Sequence, residues 1–294
     1  MTVWSQFLSG SYSSNAANIA PTTVTPTGLE SPHACAIDVT NGWVLYDKSA
    51  SEIYEYPAST VKMMTTLLVG EYRSTELATS ITWQTSDDLA SGLSQVGFQD
   101  GDVVTWNDII HGILMVSGGD ACQAAAREIG NELLGVSSTS ESGYARFVER
   151  MNERAAELGC ESTEFSNAHG AEQHKTTARD MAVIAAACFQ NATIQARALD
   201  TSYTISVTGA NARDIDLTNT DEMLAETGVL GAKTGSLFGG GYPTTYSLGV
   251  LWSSVGSKLV AIMNLAAPTS ADRFADSKAM IASLPTDFPY LSAS

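Results

Sequence analysis

The sequence predicts an α/β protein of the α+β type: one antiparallel sheet assembled from both ends of the chain, with flanking helices and an inserted helical subdomain. Three observations carry this expectation. Strand-like runs lie near the N-terminus and again beyond residue 200, helix-capping signals cluster between them, and 294 residues with 44% hydrophobic content suffice for one large domain.

Residues 1–30 are read as an extended arm or linker, because residues 1–29 hold no charged side chain and are rich in Ser, Thr, Asn and Pro. Trp4, Phe7, Leu8 and Tyr12 give this arm apolar groups with which to pack on the body. The remaining residues, 31–294, form the predicted main domain, with the helical insertion over about 75–200. Residues 34–39 and 43–46 are strand-like, and Asn41-Gly42 supplies the positive-φ pair of a tight hairpin turn. Pro57 then leads a helix whose apolar residues Val61, Met64, Leu67 and Leu68 recur at steps of three and four, ending near 70–73.

In the middle, Thr105 and Asp108 make a capping box ahead of an apolar run. Ser142 precedes Tyr144, Phe147, Val148 and Met151 of a further helix, closed by Gly159, and Thr177 with Asp180 opens another. Strands are expected at 203–207, around 231–237, at 246–252 and at 259–265, the last two joined by a turn at Gly256. A final helix, capped by Thr269 or Ser270, runs to about Ser283.

Composition excludes some partners. With 15 Lys+Arg against 32 Asp+Glu the formal charge is -17, so phosphate backbones and anionic lipid surfaces are repelled on average, and no nucleic-acid partner is expected. No apolar run reaches the length of about 18 residues that spans a bilayer, and no basic start with an apolar stretch marks a secretory signal, so no membrane anchor is expected. Cys35, Cys122, Cys160 and Cys188 form no Cys-x-x-Cys pair and are read as buried free thiols. His33, His111, His169 and His174 show no metal-ligand spacing, and neither a metal nor another cofactor is expected.

Three short motifs carry chemistry. In Ser59-Thr60-Val61-Lys62 a spacing of three on a helix brings the hydroxyl and the amine to one face. Serine needs a base, and lysine serves only where burial or a neighbouring positive charge lowers its pKa. By itself the spacing also fits a capping serine followed by a solvated lysine. Ser117-Gly118-Gly119-Asp120 reads as a turn between helices, with Ser117 able to pass a proton to a leaving amine; taken alone, an ordinary Ser-Gly turn with Asp120 as helix cap is the better reading. Lys233-Thr234-Gly235 follows an apolar approach to a buried strand, where a lysine is costly without a role such as binding a carboxylate. A hairpin turn with a surface lysine is the alternative there.

Taken together the motifs resemble the Ser-x-x-Lys, Ser-x-Asn and Lys-Thr-Gly signature of penicillin-binding proteins and serine β-lactamases. Longer stretches, residues 57–65, Gly101-Asp102, 165–170 and 174–182, resemble the low-molecular-weight D-alanyl-D-alanine carboxypeptidases, and the likeness runs in order over about 32–266. The resemblance implies a β-lactamase/transpeptidase-like fold and a penicillin-binding-type serine peptidase domain. It implies a D-Ala-D-Ala carboxypeptidase acting on the peptidoglycan stem peptide, with β-lactam antibiotics as covalent inhibitors. It also implies a site outside the cytoplasm, in the cell envelope or secreted. Residue by residue it implies Ser59 as nucleophile, Lys62 as base, Ser117 as proton relay, and Lys233 with Thr234 and Gly235 at the substrate carboxylate. The backbone N–H groups of Ser59 and Ser236 would form the oxyanion hole.

One position departs from the signature: Gly119 stands where the family usually has Asn. A positive φ at 119, or a bulky group in the space beside it, would make Asn there harmful; a simple lost interaction would make it beneficial. Two other readings stay open. A serine β-lactamase of class A would need a Glu-x-x-Leu-Asn segment, which the sequence lacks. A penicillin- or peptide-binding module with little turnover would fit Gly119.

Overall fold

Alternate residues of a strand face opposite sides of its sheet, and the strands at the two ends of this chain are apolar on both sides. The computed structural model describes residues 18–19, 24–136, 141–239, 241–253 and 258–284. Among them these strands form one six-stranded sheet. Numbered along the chain, its order is β1 (Asn18–Ile19), β3 (Trp43–Lys48), β2 (His33–Asp38), β10 (Leu259–Ala267), β9 (Tyr242–Ser253) and β8 (Val229–Gly239). Only β1 on β3 is parallel; the other pairings are antiparallel. The two ends of the chain meet at β2 and β10, where His33 lies opposite Leu265 and Asp38 opposite Val260.

Ala34, Ala36, Leu248, Val250, Val260 and Ile262 turn to one side, against Phe274 and Met280 of α7 (Ser270–Ser283). Cys35, Ile37, Leu251, Ala261 and Met263 turn to the other, towards the helices. There α5 (Ala178–Gln190) lies across β2 and β10, buried along almost its whole length, as suits a helix enclosed between a sheet and other helices. On it packs α1 (Lys62–Arg73), and around α1 in turn pack α2 (Trp106–Met115), α3 (Gly119–Leu134), α4 (Glu141–Glu157) and α6 (Ala192–Ala198).

The local signals fix these helices where the sequence puts them. Thr105 and Asp108 make the reciprocal capping box at α2. Thr177 accepts from the Asp180 N–H at α5, and Thr269 from the Asp272 N–H at α7. After α4, Cys160 N–H bonds to Ala155 O and Gly159 N–H to Ala156 O, the paired bonds of a Schellman end. All four cysteines are buried and free. No described helix is long and apolar enough to cross a membrane.

Several details differ from the sequence reading. The β2–β3 connection takes four residues, 39–42, because the Asp38 carboxylate accepts from the Thr40 and Asn41 N–H groups and holds a wider turn. Only Gly42 of the pair has positive φ. Pro57 leads a 3-10 turn, Ala58–Val61, and α1 begins at Lys62. A second sheet of four strands also exists, β4 (Ser80–Thr82), β5 (Asp102–Thr105), β6 (Ser202–Gly209) and β7 (Arg213–Thr218). The strand expected at 203–207 belongs to it, since Val103 pairs with Thr208 and Ser202 with Thr218. The Gly256 turn and the arm residues Trp4, Phe7, Leu8 and Tyr12 lie outside the described residues.

A buried ion pair ties this second sheet to α3. Arg127, 2% exposed, donates from Nε and Nη2 to the two carboxylate oxygens of Asp87 (2.8 and 2.9 Å) and from Nη2 to Thr82 O (2.9 Å). Arg127→Met leaves Asp87 charged and buried without its counter-ion. A loss of about 3–5 kcal/mol is expected, read as a lower midpoint in urea unfolding with an unchanged slope.

Candidate active site

The Ser-x-x-Lys segment straddles a kink. Ala58 has φ 56°, a conformation costly for a residue with a side chain, and it swings the chain from Pro57 into the 3-10 turn that carries Ser59. Lys62, one turn on, is 3% exposed. Its Nζ donates to Ser59 Oγ at 2.8 Å and to the carbonyl of His169.

The loop that offers this carbonyl explains the stretch 165–170. Asn167 Oδ1 accepts from the N–H groups of His169 (3.1 Å) and Gly170 (2.8 Å), folding the loop tightly, and Thr65 Oγ1 holds Ala168 O at 2.6 Å. Gly170 has φ 85°, and a Cβ there would stand 2.1 Å from Ala58 O. Glycine is therefore required for the loop to reach the turn that carries Ser59.

Burial pushes the Lys62 amine down from the ordinary lysine range. The His169 imidazole falls to about 3, by burial first and the Lys62 charge second, so it is too weak a base to compete with Lys62.

A second amine faces this pair. Lys233, 2% exposed on β8, donates from Nζ to Ser117 Oγ (3.1 Å) and to Thr234 O (2.9 Å). Burial, and then the charge on Lys62, lower its pKa as well. Ser117 itself has φ 59° in the turn before α3. At Gly235 the strand runs hard against the Ser59 turn, where a Cβ would lie 2.8 Å from Pro57 O and 3.1 Å from Ser59 N. The close approach that needs this glycine is to the protein's own backbone.

A narrow cleft opens over Ser59 and Lys62, walled by Leu89, Gly92, Leu93, Ser94 and Gly119 on one side and by Ser236, Leu237 and Phe238 on another. Ser59, Lys62 and Ser236, expected in the site, line this cleft. Ser117, Lys233 and Thr234 lie just beyond it, tied together by the Lys233 bonds. Ser117 meets Lys233 rather than Lys62. The N-cap position of α3 is Gly118; the Asp120 carboxylate, in the first turn, accepts from the Ala121 N–H of its own helix at 2.9 Å and also holds the backbone of residues 96–98.

Two contributors have no signature in the sequence reading. One is the His169 carbonyl, a backbone group. The other is Arg273 of α7, whose Nη1 donates to Gly235 O and Ser236 Oγ, both at 2.9 Å. It ties the carbonyl side of β8 to α7 from behind. A hydroxyl beside a deprotonatable buried amine, with a second amine facing it, is equipped for nucleophilic acyl transfer on a substrate that carries a carboxylate.

Comparison with known proteins agrees with this chemistry. The family model described as D-alanyl-D-alanine carboxypeptidase matches residues 20–245. D-alanyl-D-alanine carboxypeptidase DacF of Bacillus subtilis is 37% identical over 160 residues, 53% of this chain and 38% of that protein. DacA of Escherichia coli is 31% identical over 165 residues, again 53% and 38%. The chain thus aligns with about two fifths of the length of these relatives. The D-alanyl-D-alanine carboxypeptidase of Streptomyces sp. strain K15 is 28% identical over 224 residues, 73% of this chain and 75% of that one. The solved Streptomyces K15 DD-transpeptidase superposes with a TM-score of 0.79 at 26% identity, covering 88% of this chain and 98% of that structure.

Proposed function

The chain belongs to the D-alanyl-D-alanine carboxypeptidase family, and from that premise we propose that it is a serine peptidase that removes the terminal D-alanine of peptidoglycan stem peptides through an acyl-enzyme on Ser59. The observation that carries this reading is the 2.8 Å bond from the buried Lys62 amine to Ser59 Oγ. As a neutral amine Lys62 takes the Ser59 proton while Oγ attacks the carbonyl of the penultimate residue. The backbone N–H groups of Ser59 and Ser236 receive the oxyanion, and the adjacency of β8 to the nucleophile turn supports that pairing.

Lys233 commits two of its three N–H donors to Ser117 and Thr234 O, which leaves one for the substrate carboxylate. Thr234 and Gly235 flank it. Ser117 Oγ accepts from Lys233, so its own proton can pass to the departing amine as the C–N bond breaks, and the proton that Lys62 took from Ser59 replaces it, which returns Lys62 to the neutral form. Water then attacks the ester, Lys62 takes its proton, and Ser59 is regenerated. Penicillins would be captured by the same first step. Among the described residues lining the cleft there is no carboxylate to activate a deacylating water. That favours the peptidase reading over a β-lactamase. Such an activity belongs in the cell envelope or outside the cell.

A paired assay tests the reading. D-alanine should be released from a diacylated L-Lys-D-Ala-D-Ala peptide, and a labelled penicillin should stay covalently bound far longer than the peptide turnover time. Fast penicillin hydrolysis without peptide cleavage would favour the β-lactamase. Stable labelling without cleavage would leave a binding module.

A further inference from the structure

The cleft wall made by residues 88–97 takes no part in the chemistry derived above, yet it is firmly held. At one end Asp87 is fixed by Arg127. At the other, Asp120 accepts from the N–H groups of Val96 (2.9 Å), Gly97 (2.9 Å) and Phe98 (3.3 Å), while Gly119 N–H donates to Ser94 O at 2.8 Å. Between these anchors Leu89 and Leu93 face the cleft beside Lys62.

Gly119 is where this wall meets the second motif. Its φ is not positive; the left-handed residue of that turn is Ser117. What a side chain at 119 would meet is Leu89, since a Cβ there would stand 2.2 Å from Leu89 Cδ1 and 3.3 Å from Ser94 O. The volume that a residue at 119 would fill is thus held by an isobutyl group from another segment. Leu237 and Phe238, the latter 63% exposed, add apolar surface from the strand side.

We propose that Leu89 is a specificity-determining residue of this cleft. Seated in the space left by Gly119, it makes the wall beside Lys62 apolar, so acyl donors with an apolar flank are favoured over donors that present a charge there. The two positions share one space: a side chain at 119 must either push Leu89 aside or have it cut back. This inference rests on the acylation of Ser59 proposed above.

The test measures acylation rate constants for benzylpenicillin and for carbenicillin, which adds one carboxylate to the same side chain, in the full chain and its variants. The wild type should react faster with benzylpenicillin, and Leu89→Ala should shrink that preference at least about fivefold. Gly119→Asn should slow acylation about tenfold or more, and Leu89→Ala/Gly119→Asn should recover most of the loss, a non-additivity expected of groups that touch or share one space. Melting temperatures show whether each variant is folded; if Gly119→Asn is not, the preference ratio of Leu89→Ala decides alone. An unchanged ratio, or effects that simply multiply, would overturn the role of Leu89 while leaving the nucleophile intact. A wild type that penicillin does not acylate would instead overturn the Ser59 reading, and this inference with it.

Discussion

Ser59→Ala should form no covalent adduct with a labelled penicillin, and its turnover of a D-Ala-D-Ala peptide should fall by on the order of 10⁴-fold or more. Neighbouring hydroxyls do not replace it. Thr60 Oγ1 is spent on Pro57 O at 2.6 Å, and Ser117 Oγ is held by Lys233. The fold should be indifferent, because Ser59 is half-buried and its removal frees one donor of Lys62, which keeps the His169 carbonyl. Intact-mass measurement after penicillin treatment checks this directly. An adduct of unchanged yield in a well-folded Ser59→Ala protein would place the nucleophile elsewhere.

Lys62→Met should separate activity from stability. Loss of the base should cost roughly 10²–10⁴ in acylation rate. Thermal stability should hold or rise, since a buried amine is exchanged for an apolar chain of similar shape. In the wild type the working form is the neutral amine, which burial favours. The rate should therefore climb with pH through an apparent pKa well below the value of about 10.4 for a free lysine, and fall away on the acid side as Lys62 protonates. The Lys62 charge in turn lowers the Lys233 pKa, so the two amines interact and the acid limb should reflect both. Removing the Lys233 charge should move it to higher pH. A profile that rises like an unperturbed lysine up to about pH 10 would rule Lys62 out as the base.

What the sequence discloses and what it hides follow the range of the interactions. The capping of α2 and α5 is legible because Thr105 with Asp108, and Thr177 with Asp180, act within three residues. The Ser59–Lys62 pair is legible for the same reason. The strands β4 and β5 are not, being three and four residues long, with β4 paired only to β5 and β5 needing β6 about a hundred residues on. Residues 203–207 read as a strand, but a strand pattern does not say which sheet it joins. Arg273 reads as an ordinary helical residue, because its bonds to β8 exist only once α7 has docked. At 119 the glycine is visible in the sequence and its filler, Leu89, is not.

The meeting of β2 with β10 also bears on how the protein comes into being. Pairing His33 with Leu265 closes a loop of more than two hundred residues, a highly non-local contact of the kind that slows folding. During synthesis β2 emerges early and waits with one edge unpaired until the last strand arrives. The same delay falls on the chemistry, since Ser59 and Lys62 precede β8 by some 170 residues and Lys233, Gly235 and Ser236 come only with it. A partly made chain therefore carries the proposed nucleophile without its proposed oxyanion partner, and the cleft forms only as the sheet is completed.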